Sequence, residues 1–332
     1  MIKLDIDILS IEPHKVSRNL KGYTILLYGD PKSGKTTIAS QFPNSLLLAY
    51  EKGYSALPGV KPQPMNTWAD MLRVKKQLST EKAKAMYETL VIDTGDLAYE
   101  ACERHVCNIH GVDKIGDIHY GAGYAETARL FDKILQDLAK MGYGIVIISH
   151  SDDKTIKDET GEEYQRIQPT LPRTARKVVN RFCDIIGYSR ISKFEDENGE
   201  SHEKTYLYMR ATVRFEAGSR FKYTPDRIEF TYDNLVNAIA DAVDKQAAES
   251  ANSVTDEQSS PYETSEKNYE VVMARFIDLT EQLMSGDPKN QKEIEKVIEK
   301  NLGKGRRVAD LNQNNTEIID VINEELSSLL SQ

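Results

Sequence analysis

Residues 28–37 read YGDPKSGKTT. Gly29, Asp30, Pro31, Lys32, Ser33, Gly34, Lys35 and Thr36 fill every position of the pattern G-x-x-x-x-G-K-[ST], and Thr37 follows. The glycines of such a run let backbone N–H groups close around phosphate oxygens. Its lysine reaches the β- and γ-phosphates, and its last hydroxyl holds Mg²⁺. Lys35 and Thr36 fall in those two places, so the run predicts a bound nucleotide triphosphate with Mg²⁺. A chance turn of this pattern is expected in only about 1% of chains of this length. To become a catalyst, the cradle needs a carboxylate that completes the metal shell and a base that takes a proton from water.

Candidates for both stand at the ends of apolar runs. TLVID (89–93) ends on Asp93, where a carboxylate can bind the metal through water. SLLLAY (45–50) is followed at once by Glu51, which is placed to polarise an attacking water. GIVIIS (144–149) is followed by His150, a polar side chain that could touch the γ-phosphate and report hydrolysis to the next loop. The plain alternatives are a cap for Asp93, a surface glutamate in a βα turn for Glu51 and a structural turn histidine for His150.

These groups converge only if the runs that carry them are neighbouring strands. YTILLY (23–28) reads as a buried strand entering the glycine loop, with a short helix from Thr36 to Gln41 that aims its positive end at the anion. Helical spacing recurs over 67–79 and over 125–140, where Ala128, Phe131, Leu135 and Leu138 share a face. Continuous apolar runs alternating with amphipathic helices predict an α/β fold, a mainly parallel sheet flanked by helices. Beyond His150 the pattern changes. Hairpin turns are expected at 157–164 and 197–200, a helix from Pro172 to about Ile186, a β-rich stretch over 203–232 and a helix over 233–248. Residues 1–248 are thus expected to form one ATPase domain, 249–265 a flexible polar linker and 266–332 a small all-α module, its second helix opened by Asp287-Pro288.

Composition narrows the class further. Of the net charge of −9, the stretch from Glu249 onward carries −8, with 17 acidic and 9 basic residues. The body is therefore nearly neutral and can carry a basic groove for nucleic acid. No run approaches the ~18 apolar residues of a membrane helix. Three cysteines without a Cys-x-x-Cys pair do not suggest a disulfide framework, and a reducing cytoplasm is the expected setting. Cys102, His105, Cys107 and His110 invite a zinc site, but on one helix-to-loop segment they would point apart. Asn-Lys-x-Asp and Leu-Ser-Gly-Gly are both missing, so guanine reading and a transporter ATPase are unsupported, and no arginine-rich kinase lid is evident.

SGKTT, LLLAYEKG, LVIDTGD, HYGAGYAE and IVIISHSD occur in that order. Together they resemble the phage-encoded RecA-like nucleotide-binding ATPases, the fourth group of Sak-type single-strand annealing proteins, from about Val16 to Tyr232. The resemblance implies a RecA-like P-loop core, ATP hydrolysis with Mg²⁺, single-stranded DNA as partner and a role in phage recombination or annealing, in the host cytoplasm. In that class the general base sits where Glu51 does. It also implies a homo-oligomer with nucleotide at subunit interfaces, where a cation such as Arg220 could reach the next subunit's γ-phosphate; an exposed strand cation is the alternative. Two DNA-lining loops would map to 110–124 and 151–173. Tyr120 and Tyr124 could then stack on bases, and Lys154, Lys157, Arg166, Arg173, Arg176 and Lys177 could meet phosphates. Local packing of the tyrosines and a solvated basic helix face are the alternatives. The helical tail could recruit a single-strand-binding protein or another recombination partner; competition of its acids with DNA for the basic groove, or a solvated inert appendage, are the alternatives. The rival functions are an accessory motor of phage replication or packaging, and a binding module switched by ATP with little turnover.

Overall fold

Residues 24–29 are all buried, and their side chains alternate between two clusters. Ile25 and Leu27 pack on one face, Leu26 and Tyr28 on the other. A strand apolar at every position must be covered on both sides, which requires a helical layer above and below.

The computed structural model describes residues 13–157, 160–195, 200–250, 254–256, 269–286, 290–303, 305 and 307–330. β1 (Val16–Ser17), β2 (Thr24–Gly29), α1 (Lys35–Ala39), β3 (Ser45–Ala49), β4 (Pro62–Pro64), α2 (Trp68–Leu78), α3 (Glu81–Met86) and β5 (Thr89–Asp93) come first. Then follow α4 (Gly95–His110), α5 (Ala122–Lys140), β6 (Gly144–Lys157), β7 (Glu163–Pro169), α6 (Arg173–Phe182), β8 (Ile185–Glu195) and β9 (Ser201–Tyr208). The described chain closes with β10 (Gly218–Ser219), β11 (Arg227–Glu229), α7 (Tyr232–Ser250), β12 (Val254–Thr255), α8 (Tyr269–Gly286), α9 (Asn290–Leu302) and α10 (Thr316–Leu330).

The main sheet runs β11-β9-β8-β2-β6-β5-β3-β4. From β8 through β4 every neighbouring pair is parallel, while β9 and β11 extend the other edge antiparallel. Taken in chain order, the five central strands lie five-one-four-three-two, the order of a RecA-like P-loop core. The fold class expected from the apolar runs is therefore the one observed. One face is covered by α2, α4, α5 and α6 through Trp68, Met71, Tyr99, Phe131, Leu135 and Val179. The other is covered by α1 and α7 through Ile38, Leu235, Ile239 and Val243. Each fully buried Leu or Ile contributes about 1.5–3 kcal/mol, which fixes the register that brings the strand ends together.

Three expectations are corrected. The fourth strand does not stop at His150. β6 continues to Lys157 and pairs antiparallel with β7, from Ser151↔Pro169 to Lys157↔Glu163. The stretch expected as a DNA-lining loop is thus mostly a two-stranded ribbon. Polar residues stand on both faces among Ile156, Tyr164 and Ile167, so the hairpin turn expected at 157–164 was legible but no alternation marked its legs as strand. The helix after Pro172 ends at Phe182 rather than near Ile186, because Cys183 turns extended and β8 starts at Ile185. Val254 and Thr255, expected within a flexible linker, pair parallel with Val16 and Ser17, and Arg18 clips that edge to Asp244 and Asp256. The turn centres at 158–159 and 197–199, all of the 257–265 stretch and Asp287-Pro288 lie outside the described residues.

The chain divides into two compact units after Glu263. The second unit has its own core, in which α8, α9 and α10 bury Phe276, Leu279, Ile298, Ile319, Ile322 and Leu326. Asn323, fully buried, donates to the Val272 carbonyl at 2.9 Å.

Candidate nucleotide site

The glycine loop leaves β2 at the end where β3, β5 and β6 also terminate their shared register. Lys32 and Gly34 take φ values of 64° and 85°, which turn the loop tightly before α1. The Lys35 side chain is buried and donates to the carbonyls of Gly29 (2.9 Å) and Asp30 (2.7 Å) and to Ser33 Oγ (3.3 Å). Beside it, Thr36 Oγ1 donates to Asp93 Oδ2 at 2.9 Å. Backbone bonds tie Glu51 to Asp93, since the N–H groups of Tyr50 (2.7 Å) and Glu51 (3.1 Å) both donate to the Asp93 carbonyl. His150 completes the group, with Nε2 3.5 Å from Glu51 Oε2. The residues expected on four separate strand ends are therefore brought together.

Electrostatics follow from burial. Desolvation pushes the Lys35 ammonium down to about 8, against the upward pull of the Asp93, Asp30, Glu51 and Asp96 carboxylates. Desolvation also raises Asp93, and Glu51 adds to it. The Thr36 hydrogen bond, Lys35 and His150 pull the other way. A buried ammonium facing the loop and a buried carboxylate beside it, both disfavoured by desolvation, suit a phosphate group with a divalent cation. Thr36 and Asp93 offer adjacent hard oxygens, the donor type that Mg²⁺ takes. The residues present thus fit ATP and Mg²⁺.

The lysine also predicts a pH dependence. The unfolded lysine keeps its proton to about 10.4 while the folded one releases it near 8, so between these values the unfolded chain binds more protons. Stability then rises with pH across that window. Relative to Lys35→Met, the nucleotide-free wild type should gain about 3 kcal/mol between pH 7.5 and 10.5, measured by urea unfolding of both proteins. An unchanged difference would mean that the ammonium is solvated.

Other candidates lie elsewhere. Arg220 sits at the opposite end of the strands, where its guanidinium pairs with Asp184 at 2.8 Å and donates to the Arg181 carbonyl at 2.7 Å. Thr37 is on the exposed side of α1. Tyr120 is fully exposed, and Tyr124 is partly so. On the β6–β7 ribbon Lys154 lies opposite Arg166, while Lys157 pairs with Glu163 at 3.2 Å. Arg176 is mostly buried against Glu216 (3.9 Å), so α6 presents Arg173 and Lys177 to solvent but not Arg176. The Cys102 thiol is buried in the main core and Cys107 in a separate small cluster, while His110 binds Glu126 at 2.8 Å, so the zinc pattern does not converge.

Sequence reasoning missed the support around the site. Ser33 Oγ is 2.8 Å from Ser189 Oγ, which donates to the Tyr28 carbonyl at 3.2 Å. Ser151 Oγ donates to Asp30 Oδ1 at 2.9 Å, joining the ribbon to the loop. Isolated serines in unrelated segments give no spacing signal.

Residues 21–221 match the family described as AAA domain. The chain belongs to the AAA domain family. This AAA domain, a P-loop ATPase domain, spans β2 through β10 and contains every group of the site above. The chain is also 30% identical over 337 residues to the SPbeta prophage-derived uncharacterized protein YorG of Bacillus subtilis (strain 168), covering 98% of this chain and 99% of that protein. Among solved structures, it is similar to the KaiC-like protein PH0186 from Pyrococcus horikoshii OT3, at 14% identity and a TM-score of 0.34, over 63% of this chain and 90% of that one. Among the described residues, no helix is long and apolar enough to cross a membrane.

Proposed function

We propose that this AAA-domain protein hydrolyses ATP with Mg²⁺ and uses the cycle to hold single-stranded DNA during phage recombination or strand annealing. The observation that carries the catalytic half is the placement of Glu51. Its carboxylate stands free of the Thr36–Asp93 pair yet beside it, and His150 Nε2 faces it. Lys35 would hold the phosphates, and Thr36 and Asp93 would hold the metal, which neutralises phosphate oxygens. Glu51 would accept a proton from the attacking water, and His150 would orient that carboxylate.

The DNA half rests on what the surface offers and on kinship with a prophage-derived protein. Tyr120 takes a φ of 57° and is fully exposed, in a backbone region where a tyrosine is uncommon. Such outliers cluster at ligand-binding points, and an exposed ring can stack on any base. Lys154, Arg173 and Lys177 supply exposed cations for phosphates. Assembly into a homo-oligomer with nucleotide between subunits, and recruitment of a recombination partner by the helical tail, belong to the same proposal. A role for Arg220 in the next subunit's site requires that it exchange Asp184 for a phosphate.

The test is ATP turnover with and without single-stranded DNA, together with DNA affinity at two salt concentrations. DNA should raise turnover, affinity should fall steeply with salt, and Tyr120→Ala should weaken binding by about 1–3 kcal/mol. Turnover indifferent to DNA would remove the recombination assignment. Directional unwinding of duplex in the same preparation would replace a grip with a motor.

A further inference from the structure

Asp96 stands three residues beyond Asp93, in the first turn of α4, and bears on the site described above only through its charge near Lys35. Its Oδ1 accepts from two hydroxyls, Thr170 Oγ1 at 2.6 Å and Ser149 Oγ at 3.2 Å. Ser149 is the last residue of β6 before His150, and Thr170 is the first residue after β7. One carboxylate oxygen therefore grips both legs of the ribbon at its base. Thr170 also binds His150 directly, since its N–H donates to the His150 carbonyl at 3.0 Å. Among the described residues, neither imidazole nitrogen is anchored by another close protein group. Nε2 faces Glu51 at 3.5 Å, and Nδ1 is buried without a partner. The ring's position is thus set by the backbone that Asp96 and Thr170 hold.

The α4 end of this link is rigid. A Cβ on Gly95 would lie 2.6 Å from Ile147 Cγ2, so the first turn of α4 is pressed directly onto β6. We propose that Asp96 is a positioning residue: it clamps the root of the β6–β7 ribbon and, through Thr170 and Ser149, holds His150 against Glu51. This rests on the hydrolytic role of Glu51 given above. It adds that the same clamp joins that site to the ribbon bearing Lys154 and Arg166.

Hydrogen–deuterium exchange of the nucleotide-free protein and steady-state hydrolysis test it together, on Asp96→Ala, Asp96→Asn and Thr170→Val. In Asp96→Ala, amides at 150–157 and 165–170 should exchange about tenfold faster, while those of β2 and β5 keep wild-type protection. Its kcat should fall about tenfold with KM within about twofold, as for a displaced catalytic group. Asp96→Asn keeps an acceptor at Oδ1 and should restore both. Thr170→Val preserves shape at an exposed position, should give part of the loss, and should add little on the Asp96→Ala background. Root amides as protected in Asp96→Ala as in the wild type would overturn the proposal, as would an Asp96→Asn protein no better than the alanine variant. If the wild type shows no turnover, the hydrolytic role of Glu51 falls, and the exchange data alone decide whether Asp96 clamps the ribbon.

Discussion

Glu51→Gln is expected to lower ATP turnover by about 100-fold or more and to leave nucleotide affinity within about twofold. The split follows from where the residue stands. In the proposed site Lys35, Thr36 and Asp93 would supply the phosphate and metal contacts, and the substitution leaves the hydrogen bonds of Lys35 and of the Thr36–Asp93 pair in place. The amide keeps the size of the side chain and its place on the backbone N–H bond to the Asp93 carbonyl, but it cannot take a proton. An interaction needed only in the transition state changes kcat and not ground-state binding. Single-turnover hydrolysis and equilibrium binding of a fluorescent nucleotide measure the two sides. Turnover that survives the substitution would move the base elsewhere and favour a protein in which nucleotide only sets conformation.

Gly29→Ala is expected to cost more than about 3 kcal/mol of stability, the larger structural effect of any single methyl in the loop. The added Cβ would lie 2.1 Å from the Ser189 carbonyl oxygen and 2.3 Å from its Oγ. Ser189 cannot retreat cheaply, because β8 is paired to β2 with Gly29 opposite Ser189. Its hydroxyl also meets Ser33 and the Tyr28 carbonyl, so any shift reaches the phosphate loop. A φ of 150° adds backbone strain for any residue with a side chain. Urea unfolding reads the effect, and a loss under about 1 kcal/mol would mean that β2 and β8 are not so close at this point.

How much of this was legible follows the range of each interaction. The cradle is a local pattern, and Asp93, Glu51 and His150 were marked by the apolar runs that they terminate. Those runs also carried the parallel sheet, since burial on both faces leaves a continuous apolar signature. The ribbon left only its turn, expected at 157–164, and no periodic pattern along its legs. From Ser151 to Lys157 hydrophilic residues occupy both faces, and what makes it strand is a partner 6 to 18 positions away in the chain. Arg220 shows the same limit. An exposed strand cation and a trans-acting arginine look alike in sequence, and only the fold shows Asp184 beside it. Asp96 was visible as a letter in LVIDTGD, but its partners Ser149 and Thr170 come from segments more than 50 residues away.

The ribbon also has a mechanical meaning. Seven paired residues on each leg span about 23 Å, stiffened by a continuous ladder of backbone bonds. It is a cantilever built into the wall of the nucleotide site, held at Ser149, Ser151 and Thr170 and again at Ile167, which exchanges backbone bonds with Arg214 and Glu216, so that four pairs, about 13 Å, reach beyond the holds. A tilt of about 5° at those holds, within the slack of a few hydrogen bonds, sweeps the far end through roughly 1 Å. Displacements too small to alter the fold at Glu51 and Asp30 would therefore be magnified along the four pairs beyond Ile167.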